Sequence, residues 1–261
     1  MGSDSSLVLE ELGFRFGRSG GHSARTIMVE ELGLLFSAVQ DVDAPKQAYL
    51  DAIVSDNCLG KPSKNSQIIT AQIISTMYGF DPAIPLFRLL RFFWSRDSQG
   101  HSLLAGLCAY ARDPIFRMSV PYILKIEKGS SVSRSLLEEF IEDQEPGRYT
   151  SITRASVAKN INSSWTQTGH FIGRGNKIRI EAKPTVANAA YAIIIAIMLG
   201  HRGRSLFDSE PIKMLDVPSG RVMELAQQAS ERGWLTYKSI GDIIEVQIPS
   251  HFNIPKVGGS L

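Results

Sequence analysis

Apolar residues recur at helical spacing through most of the first half of the chain. They predict a first helix over residues 24–39, a second over residues 45–56 and a third over residues 67–78. Four further helices are predicted over residues 81–140, where Pro and Gly mark the breaks between them. We therefore expect a mainly α-helical protein that folds as a compact multi-helix globule.

The second half of the chain begins with a pattern that is typical of a winged helix. Residues 151–162 predict a short helix and residues 163–173 a second one. Residues 177–181 then alternate charged and apolar side chains, as a β-strand does. This order of elements predicts helix-turn-helix or winged-helix-like units together with one or two short β-hairpins.

The C-terminal region predicts one more helix and a hairpin. The helix covers residues 220–232, and two strands over residues 234–237 and 243–248 flank the turn residues Gly241 and Asp242. The apolar residues that this helix would turn inward are Val222, Leu225, Ala226 and Ala229.

Composition divides the chain into three predicted parts. Residues 1–23 are rich in Gly and Ser and predict a flexible, extended N-terminal arm. Residues 24–145 predict a helical domain with the first helix-turn-helix-like unit, and residues 146–261 a basic winged-helix-like domain with a C-terminal helix and hairpin. The boundary follows an acidic tract made of Glu138, Glu139, Glu142, Asp143 and Glu145.

The most apolar stretch of the chain, residues 186–199, predicts a central core helix. It is shorter than the roughly 20 residues that cross a bilayer, and it contains Asn188. No export signal is visible at the N-terminus, and the two cysteines, Cys58 and Cys108, are typical of reduced thiols in a cytosolic protein. We expect a cytoplasmic location and no membrane partner.

The formal net charge of +2 means that any nucleic-acid contact must come from a local patch. A first candidate is the turn between the second and third predicted helices, because recognition helices contact bases with the residues at their start. Ser63 or Asn65 would cap the third helix. A polar cap on an ordinary surface helix would look the same. The candidate DNA-binding residues are Lys61, Lys64, Asn65, Ser66 and Gln67.

A second candidate follows the acidic tract, where basic residues far outnumber the single acid, Glu181, between Pro146 and Ser205. Short hydroxyl and amide side chains there suit phosphates and base edges. The alternative is a solvated basic surface with Trp165 in the core. The candidate DNA-binding residues are Arg154, Lys159, Ser163, Ser164, Thr166, Gln167, Thr168, Arg174, Lys177 and Arg179.

The sequence does not predict an enzyme. Its five histidines are scattered, without metal-ligand spacing among themselves or with the cysteines. It has no phosphate-binding loop, nucleophile elbow or dinucleotide fingerprint, and Asp113 before Pro114 predicts a helix cap. We expect no catalytic residues, no metal and no cofactor.

The order of these features resembles the BrxA family of bacteriophage-exclusion (BREX) defence systems. The resemblance rests on five segments, which read SART (residues 23–26), AIVSDNCLGK (52–61), LLAGL (103–107), DPIF (113–116) and SSWTQTG (163–169). It implies a compact helical protein with helix-turn-helix units that binds double-stranded DNA. It also implies a role in phage defence beside a methyltransferase and other components such as an ATPase, without catalysis by this chain.

Two functions from different classes are therefore expected. The first is duplex DNA binding with strong salt sensitivity, in which Arg174, Lys177 and Arg179 contribute more than Lys61 and Lys64. The second is a helical adaptor that assembles other defence proteins through the apolar middle region and the C-terminal hairpin. A salt-titrated binding measurement distinguishes the two.

Overall fold

Helices make up most of the structure, a computed structural model that describes residues 3–241 and 243–255. They confirm the prediction of a mainly α-helical globule. The α-helices are α1 (Ser3–Glu11), α2 (Val29–Ala38), α3 (Lys46–Val54), α4 (Lys64–Tyr78), α5 (Pro85–Trp94), α6 (His101–Arg112), α7 (Pro114–Ile123), α8 (Arg134–Gln144), α9 (Ser151–Gln167), α10 (Val186–Met198), α11 (Glu210–Lys213) and α12 (Ser219–Glu231). Short 3-10 helices cover Gly21–Ser23, Ser98–Gly100, Gly203–Asp208 and Ser250–Phe252.

The strands form two small antiparallel sheets. One sheet has the order β1-β3-β2, and the other is the hairpin β4-β5. The strands are β1 (Ser131–Val132), β2 (Phe171–Ile172), β3 (Lys177–Arg179), β4 (Thr236–Ile240) and β5 (Ile243–Gln247). The predicted C-terminal helix and hairpin are confirmed by α12, β4 and β5, although Asp242 lies outside the described residues.

Side-chain caps explain where several helices begin. Ser63 and Ser66 form a reciprocal capping box at the start of α4, which confirms Ser63 as the cap. Thr185 and Asn188 do the same for α10. The Asp113 carboxylate accepts hydrogen bonds from the first free N–H groups of α7, as its position before a proline predicts.

Helix α10 lies at the centre of the fold, and all of its residues are buried. It packs against α5, α6, α11 and α12, which confirms the predicted core helix. Its amphipathic neighbours bury their apolar faces against it and leave their polar faces to solvent. Among the helices of residues 3–241 and 243–255, none has the length and apolar character needed to cross a membrane.

The N-terminal segment is packed against the core, so the prediction of an extended arm over residues 1–23 is wrong for residues 3–23, while residues 1 and 2 lie outside the described residues. Helix α1 buries Leu9, and Leu12 and Phe14 follow it into the core. The backbone is held as well, because Leu86 donates its N–H to Leu12 at 3.1 Å. Glycine and serine suggested an arm, but the apolar residues between them stabilise a packed segment.

Nor does the predicted boundary at residues 145 and 146 separate two cores. Strand β1 lies before the boundary and pairs with β3 after it, with Ser131 opposite Ile178. Helices α8 and α9, one on each side, also pack together. One hydrophobic cluster runs from Leu9 to Phe252. Long-range pairing thus joins the two halves that composition separated.

The middle of the chain forms the four predicted helices, α5 to α8, and their apolar side chains are core. Leu103, Leu104 and Leu107 on α6 are all buried. The adaptor hypothesis assigned this region to partner binding, and these three leucines are not available for it because they are already covered. The C-terminal hairpin differs, since Ile243 at its turn is exposed.

Several arginines are used inside the fold to close helix C-termini. The Arg112 guanidinium donates to the carbonyls of Met77 and Thr76 near the end of α4, at 3.1 and 3.2 Å. Arg91 does the same for the carbonyl of Val39 after α2, at 2.8 Å. These cations satisfy carbonyls that have no helical partner. Their positive charge is therefore not available at the surface.

Candidate nucleic-acid interface

The first predicted DNA-binding cluster lies between α3 and α4, on a connection that covers residues 55–63. This connection is longer than the three or four residues of a helix-turn-helix turn. Its lysines contact the protein itself, because Lys61 Nζ lies 3.1 Å from Glu31 Oε1 and Lys64 Nζ donates to the Val54 carbonyl at the end of α3. These two side chains are therefore engaged in stabilising the connection.

The remaining members of that cluster differ in exposure. Asn65 is exposed, and Gln67 is half-buried. The Ser66 hydroxyl is occupied in the capping box, where it donates to the Ser63 carbonyl at 2.8 Å. Lys64 and Asn65 are thus the exposed members of this cluster.

The helical part of the second predicted cluster lies on one continuous helix, so the expected short helix over residues 151–162 followed by another over 163–173 is wrong. Helix α9 runs unbroken from Ser151 to Gln167. Ser163, Ser164 and Thr166 lie in its last turns, and Thr168 is its C-terminal cap. The predicted helix-helix-strand order is therefore one long helix followed by the hairpin of β2 and β3.

Two of the predicted hydroxyl ligands are buried. Ser164 Oγ accepts the Ile27 N–H at 3.0 Å and lies 2.9 Å from the Asn160 carbonyl. Thr168 Oγ1 lies 2.8 Å from Nδ1 of the buried His170. Both hydroxyls therefore contact the protein interior, and their assignment as DNA contacts is wrong.

Arg179 is buried as well, although its alternating pattern predicted an exposed cation. Its guanidinium is 1% exposed and reaches both carboxylate oxygens of Asp216 at 2.8 Å. Burial pushes the pKa of Asp216 up, but the hydrogen bonds from Arg179 and from the Ala182 N–H outweigh it, and the pKa lies below its usual value. The pair joins β3 to the loop after α11 and cannot contact DNA.

Three buried side chains next to α9 have the order of a catalytic triad. His22 Nε2 lies 2.8 Å from Ser164 Oγ, and His22 Nδ1 lies 3.0 Å from Asp113 Oδ2. Burial raises the pKa of Asp113, but His22 and the backbone N–H groups around the carboxylate lower it by more, so the pKa lies below its usual value. The carboxyl group is therefore ionised at neutral pH.

The surroundings of this trio show a structural role rather than a catalytic one. Each of the three side chains is at most 1% exposed, so no substrate can reach the serine in this structure. The Ser164 hydroxyl also forms hydrogen bonds with the Ile27 N–H and the Asn160 carbonyl, and it would have to break them in order to act as a nucleophile. The trio ties the N-terminal segment to α7 and α9.

His170 is a second buried histidine and a source of pH dependence. Burial lowers its pKa to about 4. Its Nε2 lies 3.0 Å from the Met214 carbonyl and its Nδ1 faces Thr168, an arrangement that fits a neutral ring with one donor and one acceptor. In the unfolded chain the His170 ring takes up a proton at a higher pH than in the folded protein. The stability that the neutral ring contributes is therefore fully present above about pH 6.5 and is lost as the pH falls toward 4.

We therefore expect His170→Gln to be less acid-sensitive than the unchanged protein. Between about pH 7 and pH 5 the unchanged protein should lose about 2 kcal/mol more of its free energy of unfolding than the variant does. Urea denaturation at both pH values measures the difference. Equal losses in the two proteins would contradict the assignment of a neutral buried ring.

The residues of the second cluster that remain accessible lie on one face of α9 and on the adjacent hairpin. Lys159 and Arg174 are exposed, while Ser163, Thr166 and Lys177 are half-buried. Positions 159, 163 and 166 are three and four residues apart, so they share a helix face. Lys177 joins the hairpin to this face because its Nζ donates to Thr166 Oγ1. We call these five residues the α9–hairpin surface.

Two neighbouring residues of the cluster have other roles. Gln167 donates to Thr26 Oγ1 at 3.1 Å and accepts the Val29 N–H at 3.3 Å, so it holds the start of α2. Arg154 pairs with Glu142 of the acidic helix α8. The positive charge at the beginning of α9 is therefore offset, and the cations that remain available lie toward the hairpin.

Comparisons with known proteins found no similar one. No family model matches the chain, and no curated protein or solved structure matches it at a significant level. Over residues 3–241 and 243–255, no group of three or more His, Cys, Asp or Glu side chains is placed to hold a metal ion. The site is thus defined by its own geometry.

Proposed function

We propose that the protein binds double-stranded DNA through the α9–hairpin surface. The observation that carries the proposal is the contact between Lys177 and Thr166, which joins a basic hairpin to a helix face with a lysine and two hydroxyls. Cations and short hydroxyl side chains on one surface suit the phosphate backbone. With a net charge of only +2, such a local surface must supply the attraction.

The biological setting proposed for this binding comes from the resemblance to BrxA proteins. It is a non-catalytic role in a bacterial phage-defence system, in the cytoplasm and beside a methyltransferase and an ATPase. The folded position of the SSWTQTG segment supports the connection to DNA only in part, because Ser163 and Thr166 are half-buried while Ser164 is buried. The other residues of that segment support the helix instead.

A salt titration of the full chain tests DNA binding. We expect the logarithm of the affinity for a short duplex to fall linearly with the logarithm of the salt concentration, because bound phosphates release counterions. The variant Lys159→Ala/Arg174→Ala/Lys177→Ala should lose about one unit of slope for each phosphate contact removed. Fluorescence anisotropy of a labelled duplex measures both quantities.

The matched control removes three cations from other parts of the surface. Lys46 on α3, Arg221 on α12 and Lys238 on β4 are exposed, so their replacement by alanine changes the net charge equally. This control should keep the slope of the unchanged protein within a fraction of a unit. If both variants lose the same slope, the attraction is a property of total charge, and the α9–hairpin surface is not the binding site.

A further inference from the structure

Helices α8 and α9 present two neighbouring ridges of opposite charge to solvent. On α8, Leu136, Glu139 and Asp143 are exposed and lie three and four residues apart, so they share one side of the helix. On α9, Ile152 and Lys159 are exposed and lie seven residues apart, so they also share a side. We call these two ridges together the α8–α9 face.

The outermost charges of the α8–α9 face have no ion-pair partner within residues 3–241 and 243–255. Glu142 on α8 and Arg154 on α9 do pair with each other across the two helices. Glu139, Asp143 and Lys159, in contrast, take part in no ion pair among the described residues. The face therefore keeps charges of both signs for a partner.

Two aliphatic side chains on this face are open to solvent. Ile152 is the most exposed large apolar side chain in the part of the chain that the structure describes, at 83%, and Leu136 is 54% exposed. Covering both with a protein surface would remove apolar area from water and is favourable.

The charge pattern of the face is complementary to a second copy of this chain. Helices α8 and α9 run in opposite directions, because they pack together and only residues 145–150 connect them. A two-fold axis parallel to the helices would lay the acidic ridge of each copy on the basic ridge of the other, and symmetry makes this contact twice. A duplex can pair with the basic ridge only, because its phosphates carry a single sign of charge.

The pair of Glu142 and Arg154 sets the level of these contacts along the helices. With residue 142 beside residue 154, Glu139 is level with residue 157 and Asp143 with residue 153. Rotation about an axis parallel to the helices keeps these levels. Glu139 of one copy therefore lies within about 3 Å along the axis of Lys159 in the other. Asp143 lies over the first turn of α9, where the helix dipole attracts an acid.

We propose that the α8–α9 face joins two copies of this chain in a two-fold symmetric, reversible dimer. The helices have 11 and 17 residues, and side by side they present a face of roughly 400 Å². This is about half of what each partner buries in a standard interface. The dimer is therefore weak, and its amount depends on the concentration of the chain and on salt.

The dimer would also compete with the proposed DNA binding, because Lys159 belongs to the α9–hairpin surface as well. This consequence alone rests on the proposed function. A second copy and a duplex cannot both cover Lys159, so an excess of duplex should separate the two copies. Self-association would then regulate how much of the chain is free to bind DNA.

Sedimentation equilibrium of the full chain at low salt tests the dimer. The mean mass should rise from one chain toward two as the concentration increases through the micromolar range. Glu139→Lys and Lys159→Glu each bring like charges together twice, so each variant should dimerise at least tenfold more weakly. An equimolar mixture of the two variants should recover the dimer, because both contacts of the mixed pair then join opposite charges. This recovery would also show that both variants are folded.

The matched controls reverse exposed charges elsewhere. Glu231→Lys on α12 and Lys46→Glu on α3 change the net charge equally and should dimerise as the unchanged protein does. A mass of one chain at every concentration would overturn the dimer. A dimer that survives Glu139→Lys, or a mixture of the two charge-reversed variants that stays monomeric, would overturn the α8–α9 face as its site.

Energy transfer between copies labelled with a donor and with an acceptor separates the dimer from DNA binding. An excess of a short duplex should abolish the transfer. Transfer that persists while the duplex is bound would overturn the competition. A chain that dimerises through this face but binds no duplex at low salt would overturn the proposed function and leave the dimer intact.

Discussion

Asp113→Ala is expected to lower the free energy of unfolding by about 3–5 kcal/mol, because it leaves several buried hydrogen-bond donors without their charged acceptor. The carboxylate accepts the N–H groups of Ile115 and Phe116 at 2.9 and 3.0 Å, and the His22 N–H at 3.1 Å. Alanine leaves these donors, and the His22 ring beside them, in a site that water does not reach. Urea denaturation at neutral pH measures the loss.

Two further variants separate the buried carboxylate from the helix cap. Thr150→Ala removes an exposed cap from α9 and should cost about 1 kcal/mol. Asp113→Ser keeps a cap for α7 but removes the charge, so most of the loss should remain. The folded pKa of Asp113 is lowered, so its contribution is present at neutral pH and disappears as the pH falls through that pKa. A loss near 1 kcal/mol for Asp113→Ala would show that the carboxylate acts as a helix cap alone.

Arg179→Met is expected to be similarly destabilising, by about 3–5 kcal/mol, because it leaves the Asp216 carboxylate without its bidentate partner. The matched control is Arg174→Met in the same hairpin, whose side chain is exposed and whose replacement should change stability by about 0.5 kcal/mol or less. The sequence predicted the opposite, that Arg179 would be a replaceable surface cation. Thermal and urea denaturation of the two variants decide between these views.

A double variant tests whether the Arg179 effect is electrostatic. Asp216 has a φ of +60°, a conformation that asparagine also adopts readily, so Asp216→Asn removes the charge with little backbone strain. Combined with Arg179→Met it should cost less than the sum of the single changes, with a coupling of about 1–3 kcal/mol. Strict additivity would show that the loss comes from packing of the arginine stem alone.

The sequence predicted the helices well because their determinants are local. Apolar spacing and caps such as Ser63 and Asp113 act within a few residues, and both caps lie where they were expected. The apolar run that became α10 needed only its length and composition. Such elements can be predicted from one sequence because nothing distant decides them.

The errors share a different cause, which is a partner far along the chain. The alternating residues of β3 were correctly predicted as a strand, but the face that was predicted to be exposed is buried. Arg179 turns inward because it pairs with Asp216, which lies 37 residues later in the chain. One buried ion pair thereby turned Ile178 outward. In α9, where a break was predicted, the buried Ser164 hydroxyl likewise accepts the N–H of Ile27, which lies 137 residues earlier in the chain.

The candidate site was therefore predicted only in part. Lys159 and Arg174 are exposed as expected, whereas the burial of Ser164 depends on Ile27 and His22, more than 130 residues earlier. The outward position of Ile172 and Ile178 was not predicted. A strand with a charged residue on each side of an isoleucine was the available signal, but it indicated the wrong face.

The anchoring of the N-terminal segment by His22 has a consequence for synthesis on the ribosome. The partners of His22, Asp113 and Ser164, follow it by 91 and 142 residues. At about 5–20 residues per second, Ser164 is made roughly 7 to 28 s after His22. Until the partners of this segment, which include Leu86, have also been made, Leu9, Leu12 and Phe14 lack the core that they enter in the folded protein, so the nascent chain exposes an apolar segment that chaperones can bind.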